Sequence, residues 1–339
     1  MRKKFVKIIS SLLILTMLLT SCFKRNKDEE INEKMSLGIG VYTELNNTNA
    51  TLEKEGKVEI VYTVAALVTD KDGKIADCKF DTQECYFSVS ADGKYNSSND
   101  FKSKRELGDS YVMSTDSAKL KWYEQADAYA KVLKGKTLEE AKATVMEDGK
   151  GNNDVINTGC TITVSDFYYA LEKAFSQKKE FLRNSKGTLG IGIYTNISGK
   201  NADGGEGKAE IDSSFSVVSK YDGKVVSEQS DAIDITIKFD SEGKMLSDSD
   251  VKYQTKRELG DNYGMTASGI DNNGDGKMLE WYLQANAFDN ATVGLDKSKI
   301  AALNIDGYAS DSLQTAGCTI KIDGLTKAAL KALSDENKK

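Results

Sequence analysis

The chain has 339 residues, a formal net charge of −6, and neither histidine nor proline. The length suits two domains of about 150 residues each. The missing histidine excludes histidine triads, general bases and metal sites, and the acidic balance argues against nucleic acid as a partner. In chain order, residues 1–21 come first: the basic "MRKKFVK" runs into the apolar "IISSLLILTMLLTS". That stretch is shorter than the about 20 residues needed to span a bilayer.

The run "LTSC" resembles the lipobox of bacterial lipoproteins, in which the cysteine, here Cys22, is acylated and becomes the mature N-terminus. The resemblance implies a signal peptide over 1–21 and a bilayer partner, reached through diacylglyceryl and palmitate chains on Cys22. It places the protein at the outer face of the cytoplasmic membrane of a Gram-positive cell. Losing Arg2, Lys3, Lys4 and Lys7 takes the mature chain from −6 to −10. Residues 22–36 read as a charged tether.

From residue 37 the chain is a tandem repeat. "LGIGVYT" returns as "LGIGIYT" and "SKRELGDSYVM" as "TKRELGDNYGM", both 152 residues later. "KWYEQADAYA" returns as "EWYLQANAFD" after 159 residues and "TGCTI" as "AGCTI" after 158. Domain 1 is read as 37–175, a linker as 176–186 and domain 2 as 187–333. In each copy "KVEIVYTVAALVTD" or "KAEIDSSFSVVSKY" alternates with the period of a half-buried strand. A "DGK" turn and returning strands follow, and another strand pair closes on "ADGK" or "SEGK".

Trp122, Ala126, Tyr129 and Leu133 then form the stripe of a helix ending at Gly135. "KTLEEAKATVM" predicts a short helix, "CTITV" and "CTIKI" predict final strands, and "SDFYYALEKAFSQ" and "DGLTKAALKALSD" predict closing helices. The fold class is α+β: two homologous domains, each an antiparallel sheet with helices packed on one face. After Cys22, four cysteines remain, too few for a disulfide scaffold. Cys78 and Cys85 are placed to pair across a hairpin only optionally, and Cys160 and Cys318 read as small buried side chains.

A strand, "DGKI", a returning strand, an "ELGD" loop, a tryptophan helix and a late "GCT" motif together resemble the FMN-binding domain. That family occurs in flavin subunits of Rnf and sodium-pumping NADH:quinone oxidoreductases and in Gram-positive electron-transfer lipoproteins. "KRELGD" stands for its "KETPGLGD"-like run; "DVINTGCTIT" and "DSLQTAGCTI" stand for "DAVSGATITS". The chain also resembles clostridial surface lipoproteins that share "TK.ELG..YGM…EWY.QA.AF". The resemblance implies FMN esterified to Thr161 and Thr319, with Gly159 and Gly317 letting the backbone approach the phosphate. It also implies a surface redox partner. Cysteine replaces the family's alanine, and Asp154 and Asp311 lie seven and eight residues before the threonines.

Arg105 and Arg257 of the "KRELGD" runs present a donor fork suited to a phosphate or flavin carbonyl; the other reading is a structural ion pair with the neighbouring glutamate. Trp122 and Trp281, with Tyr123 and Tyr282, read either as a stack for a flavin ring or as core. "DNNGDGK" matches the opening of a calcium loop, with Asp271, Asn273 and Asp275 at positions one, three and five. Position twelve is Tyr282, Glu280 lies two residues early, and a solvated turn is the alternative. Two functions follow: a monomeric lipoprotein holding flavin for surface electron transfer, or a cofactor-free ligand-binding or adhesion lipoprotein. A hydrolase is disfavoured, since no nucleophile elbow or repeated acid pair occurs.

Overall fold

The computed structural model describes residues 32–98, 100–113, 120–247, 253–266 and 279–334. The alternating runs form the strands they predict: β1 (Asn32–Thr48), β2 (Gly56–Thr69) and β3 (Ile75–Val89) make an antiparallel meander edged by β4 (Tyr95–Ser97). Five helices follow: α1 (Lys104–Leu107), α2 (Trp122–Leu133), α3 (Leu138–Lys142), α4 (Asn153–Ile156) and α5 (Ser165–Ser176). β5 (Lys179–Asn184) then returns beside β1, giving the order β4-β3-β2-β1-β5.

The second half repeats the plan with a three-stranded sheet, β6 (Thr188–Lys200), β7 (Glu206–Tyr221) and β8 (Lys224–Asp240). After it come α6 (Lys256–Leu259), α7 (Trp281–Thr292), α8 (Lys297–Ala301), the strand pair β9 (Asn304–Ile305) and β10 (Tyr308–Ala309), α9 (Asp311–Thr315) and α10 (Asp323–Ser334). The architecture is α+β with antiparallel sheets. Among the described residues no helix is long and apolar enough to cross a membrane.

Each sheet has helices on one face and the other sheet on its second face. Val58, Ile60, Tyr62 and Val64 of β2 share one core with Ile193, Ile211, Phe215 and Ile233, and the Tyr62 and Phe215 rings meet edge-on at 5.1 Å. On the helix side Ala65, Leu67 and Phe80 pack against Trp122, Tyr129 and Leu171. The end of β2 is therefore buried on both faces, which is why "VAALV" loses its alternation. The repeated "LGIG" has a related cause. A methyl on Gly40 would sit 1.9 Å from the Ala170 carbonyl oxygen, and one on Gly192 would sit 1.9 Å from that of Ala328. Only glycine lets α5 and α10 lie this close to β1 and β6.

The two halves grip each other reciprocally. Ala50 N–H donates to Gly243 O at 3.0 Å and Ala202 N–H to Gly93 O at 2.9 Å. Asn49 Oδ1 accepts from Met245 N–H at 2.8 Å and Asn201 Oδ1 from Tyr95 N–H at 3.0 Å. Lys173 of α5 pairs with Glu258 at 2.8 Å, and Lys331 of α10 with Glu106 at 3.0 Å. Such exchanged contacts are the mark of an approximate two-fold relation. Replacing either lysine with methionine is expected to cost at most about 1 kcal/mol in urea unfolding, less still in high salt. A larger, salt-independent loss would show that the aliphatic stems and not the charges hold the halves.

Four expectations need correction. Residues 32–36, read as tether, belong to β1 and pair with β5, in a register from Asn32 opposite Asn184 to Leu37 opposite Lys179. The linker 176–186 is accordingly no open connector, since it carries β5. "CTITV" and "CTIKI" form no final strands; each makes a single bridge, Thr163 to Lys150 and Lys321 to Tyr308. Cys78 and Cys85 lie on the same strand in different cores and are free, as are the buried Cys160 and Cys318. Cys22 lies outside the described residues.

Candidate functional site

The repeated "KREL" turn begins with a capping box: Ser103 accepts from Glu106 N–H while the Glu106 carboxylate accepts from Ser103 N–H, and Thr255 and Glu258 do the same. The arginine points inward. Arg105 Nε donates to Phe80 O at 2.5 Å and Nη2 to Asp127 at 2.6 Å. Arg257 donates to Ser230 O, to Asn286 Oδ1 at 2.8 Å and to Asp289 Oδ2 at 2.7 Å. Both guanidinium groups are thus engaged by strand and helix acceptors and line neither of the two clefts described below. The ion-pair partner is an aspartate on the tryptophan helix, not the adjacent glutamate. The final methionine of the motif has a role too: Met113 and Met265 sulfurs accept from Gln125 and Gln284 Nε2 at 3.5 and 3.4 Å.

The lysine of the motif, which the sequence reading passed over, points to a cleft. Lys104 Nζ lies 2.7 Å from Glu84 and above the Tyr111 and Trp122 rings, at 4.9 and 5.5 Å from their centroids. Lys256 repeats this with Asp234 at 2.8 Å, Tyr263 and Trp281. Burial acts to lower both lysines, but the carboxylate and tyrosine partners outweigh it and leave each pKa raised, so both are fixed cations. The one signal for them was their repetition beside the arginine.

The first cleft encloses about 390 Å³ where the outer face of β2 and β3 is uncovered by helices, with Val61, Thr63 and Thr82 as floor. Lys104, Trp122, Lys150, Thr161 and Asp166 form its walls. The second, about 570 Å³, occupies the matching place by Lys256 and Trp281. Trp122 and Trp281 are buried, yet each contributes to the lining of its cleft. Tyr123 and Tyr282 do not stack there; their hydroxyls donate to Asp109 and Asp261, at 3.1 and 3.2 Å.

The "GCT" turns are pinned by a glutamine from the tryptophan helix. Gln125 Oε1 accepts from Thr161 N–H at 2.8 Å, from its hydroxyl at 3.2 Å and from Ile162 N–H at 3.2 Å. Gln284 Oε1 accepts from the N–H and hydroxyl of Thr319 at 2.8 and 2.9 Å. These bonds take the amides that a strand neighbour would otherwise have used, which is why no final strand forms. Thr161 is exposed and opens on the first cleft; Thr319 is half-buried and is not among the residues lining the second.

Gly159 and Gly317 adopt φ of 92° and 100°, a turn that only glycine takes freely, yet the space beside them is filled by Leu120 and Leu279. Their role is to make the turn and admit a leucine, not to expose backbone to a phosphate.

The calcium expectation at Asp271, Asn273 and Asp275 lies outside the described residues. Among those described, no three Asp, Glu or Cys side chains converge as a metal would require. Glu280 accepts from Met265 N–H and from the N–H and hydroxyl of Thr266, tying these two residues to the start of α7.

The second half also buries charge where the first is apolar. Glu228, Asp289, Ser216, Ser230 and Thr292 stand where the matching register and helix positions hold Cys78, Ala130, Ala65, Phe80 and Leu133. Ser216 donates to Glu228 at 2.7 Å, Ser230 Oγ to Asp289 at 2.6 Å, and Lys179 Nζ lies 3.8 Å from Asp289. No family model matches the chain, and no curated protein or solved structure is significantly similar to it.

Proposed function

We propose that the chain is an acylated surface lipoprotein of two FMN-binding-like modules, in which the first cleft holds the flavin phosphate for electron transfer outside the membrane. The observation that carries this reading is that the exposed Thr161 lines a cleft together with Lys104, Lys150 and Trp122. The residues fit the group: Lys150 and Lys104, the latter paired with Glu84, share the lining with one aspartate, Asp166, whose pKa burial raises. Lys104 and Lys150 would pair with the phosphate, Thr161 would be its attachment point, and Trp122 and Tyr111 would flank the ring. Bound flavin would supply the electron chemistry; the chain binds, orients and shields it. The Thr161 hydroxyl first has to leave Gln125 Oε1, an exchange of one hydrogen bond.

Expressing the mature chain with a flavin transferase and FMN is expected to give one flavin per chain that survives denaturation. Thr161→Ala should abolish it and Thr319→Ala should keep it. A colourless wild-type product would reject covalent flavin. A second reading, a cofactor-free ligand-binding or adhesion lipoprotein, is favoured by the second half, where Gln284 holds the N–H and hydroxyl of a threonine that is not in the lining of the second cleft. It is supported if the colourless protein gains thermal stability from a surface polymer.

A further inference from the structure

The second cleft keeps the frame of the first but replaces its walls. Lys256, Tyr263 and Trp281 repeat Lys104, Tyr111 and Trp122. Where the first cleft has Val61 and Thr163, the second has Asp212 and Lys321, on β7 and on the turn before α10. Lys327 and Asp323 are further additions, standing where the first half has Tyr169 and Ser165. The lining thus carries three lysines and three aspartates. An anionic ligand meets Asp212, Asp234 and Asp323; a cationic one meets Lys256, Lys321 and Lys327.

Two of these pairs satisfy themselves: Lys256 lies 2.8 Å from Asp234, and Lys327 2.8 Å from Asp323 and 3.0 Å from the Tyr194 hydroxyl. Among the described residues, Lys321 and Asp212 form no ion pair; Lys321 Nζ stands 5.8 Å from the centroid of the Tyr308 ring, and its charge acts on Asp212 from beyond ion-pair distance. One unpaired cation and one unpaired anion therefore face the same 570 Å³, with Trp281, Ala232 and Leu325 as apolar surface and Ser214 and Asn196 as further polar groups. Burial and the charge of Asp234 raise the Asp212 pKa against the opposing charges of Lys256 and Lys321, so its carboxylate gains from a further cation brought to it.

We propose that the second cleft binds a small zwitterion carrying an α-ammonium and an α-carboxylate, a free amino acid or short peptide, with Asp212 taking the ammonium and Lys321 the carboxylate. The volume lies within the ordinary range for small-molecule sites. Each charged contact is of the strong, charge-assisted kind. Nothing in this assignment depends on flavin in the first cleft.

Calorimetric titration of the mature chain with a panel of free α-amino acids and with alanyl-alanine tests it. At least one zwitterion is expected to bind, while its N-acetyl and C-amide forms do not; whether an amino acid or the dipeptide binds tighter separates the two sources. Asp212→Asn and Lys321→Met should each weaken binding about tenfold or more. Lys150→Met and Thr161→Ala, both in the first cleft, should leave it unchanged, and melting curves check that each variant folds. The proposal is overturned if no probe binds up to about 10 mM, a concentration above weak millimolar affinity. It is equally overturned if the blocked forms bind as well, or if the Asp212 and Lys321 variants bind like the wild type.

Discussion

Arg257→Met is expected to lower the unfolding free energy by about 3–5 kcal/mol, the range for removing one partner of a buried pair. Arg105→Met should cost clearly less, although the two arginines occupy the same place in their copies. The difference lies in what each leaves behind. Asp127 is 37% exposed, so water can take over when Arg105 goes. The Asp289 side chain is 0% exposed, and without Arg257 it keeps only Lys179, at 3.8 Å, as a cation. Urea unfolding of the two variants checks this. Equal losses, or a larger loss for Arg105→Met, would mean that the aspartates do not feel their burial as charged groups.

How much of this was legible in the sequence depends on whether a feature is written in one stretch or made between two. Trp122, Ala126, Tyr129 and Leu133 announced a helix, and all four are buried where that stripe points. The strands could be read because their alternation is local. The face-to-face sheets could not, since a period of two marks one buried face and says nothing of what covers the other; the unbroken "VAALV" was the only hint. "CTITV" has strand composition, but a glutamine 35 residues or more away satisfies its amides, and propensity gave way to that tertiary bond. Repetition marks "KREL" but does not say what each side chain does. The lysine that faces the cleft carries no local signal of its own. For arginine the ion-pair reading holds in kind and differs in partner, since Asp127 and Asp289, not the neighbouring glutamate, hold it, and no spacing rule connects them to it.

Stability should fall as pH rises from about 5 to 8, and Glu228→Gln should remove most of the fall. Glu228 and Asp289 are both fully buried and repel each other. Burial raises the Asp289 pKa as well, but Asp289 faces Arg257 and Lys179 and accepts from the N–H and hydroxyl of Ser230, so it is the better anion of the two. Glu228 is left with the proton: burial first, then the charge of Asp289, lift its pKa from 4.5 to about 8. Burial likewise lifts Asp231 from 3.8 to about 6, against the opposing charge of Arg257.

Both groups are raised in the folded state, so above their ordinary values the unfolded chain has lost protons that the folded chain still holds. The stability they contribute is complete below about pH 4 and is lost as pH climbs through 6 and then 8. Between pH 6 and 8 Glu228 still holds a proton in the folded state that the unfolded chain has lost, and its contribution to the slope approaches about 1.4 kcal/mol per pH unit. Glutamine keeps an oxygen for the Ser216 hydroxyl, at 2.7 Å from Glu228, and has no charge to form. The variant should therefore match or fall below the wild type at pH 5 and exceed it at pH 8, as urea midpoints across that range would record. Parallel curves for the two proteins would show that Glu228 is already ionised at pH 6, and that the second-half core tolerates two adjacent carboxylates.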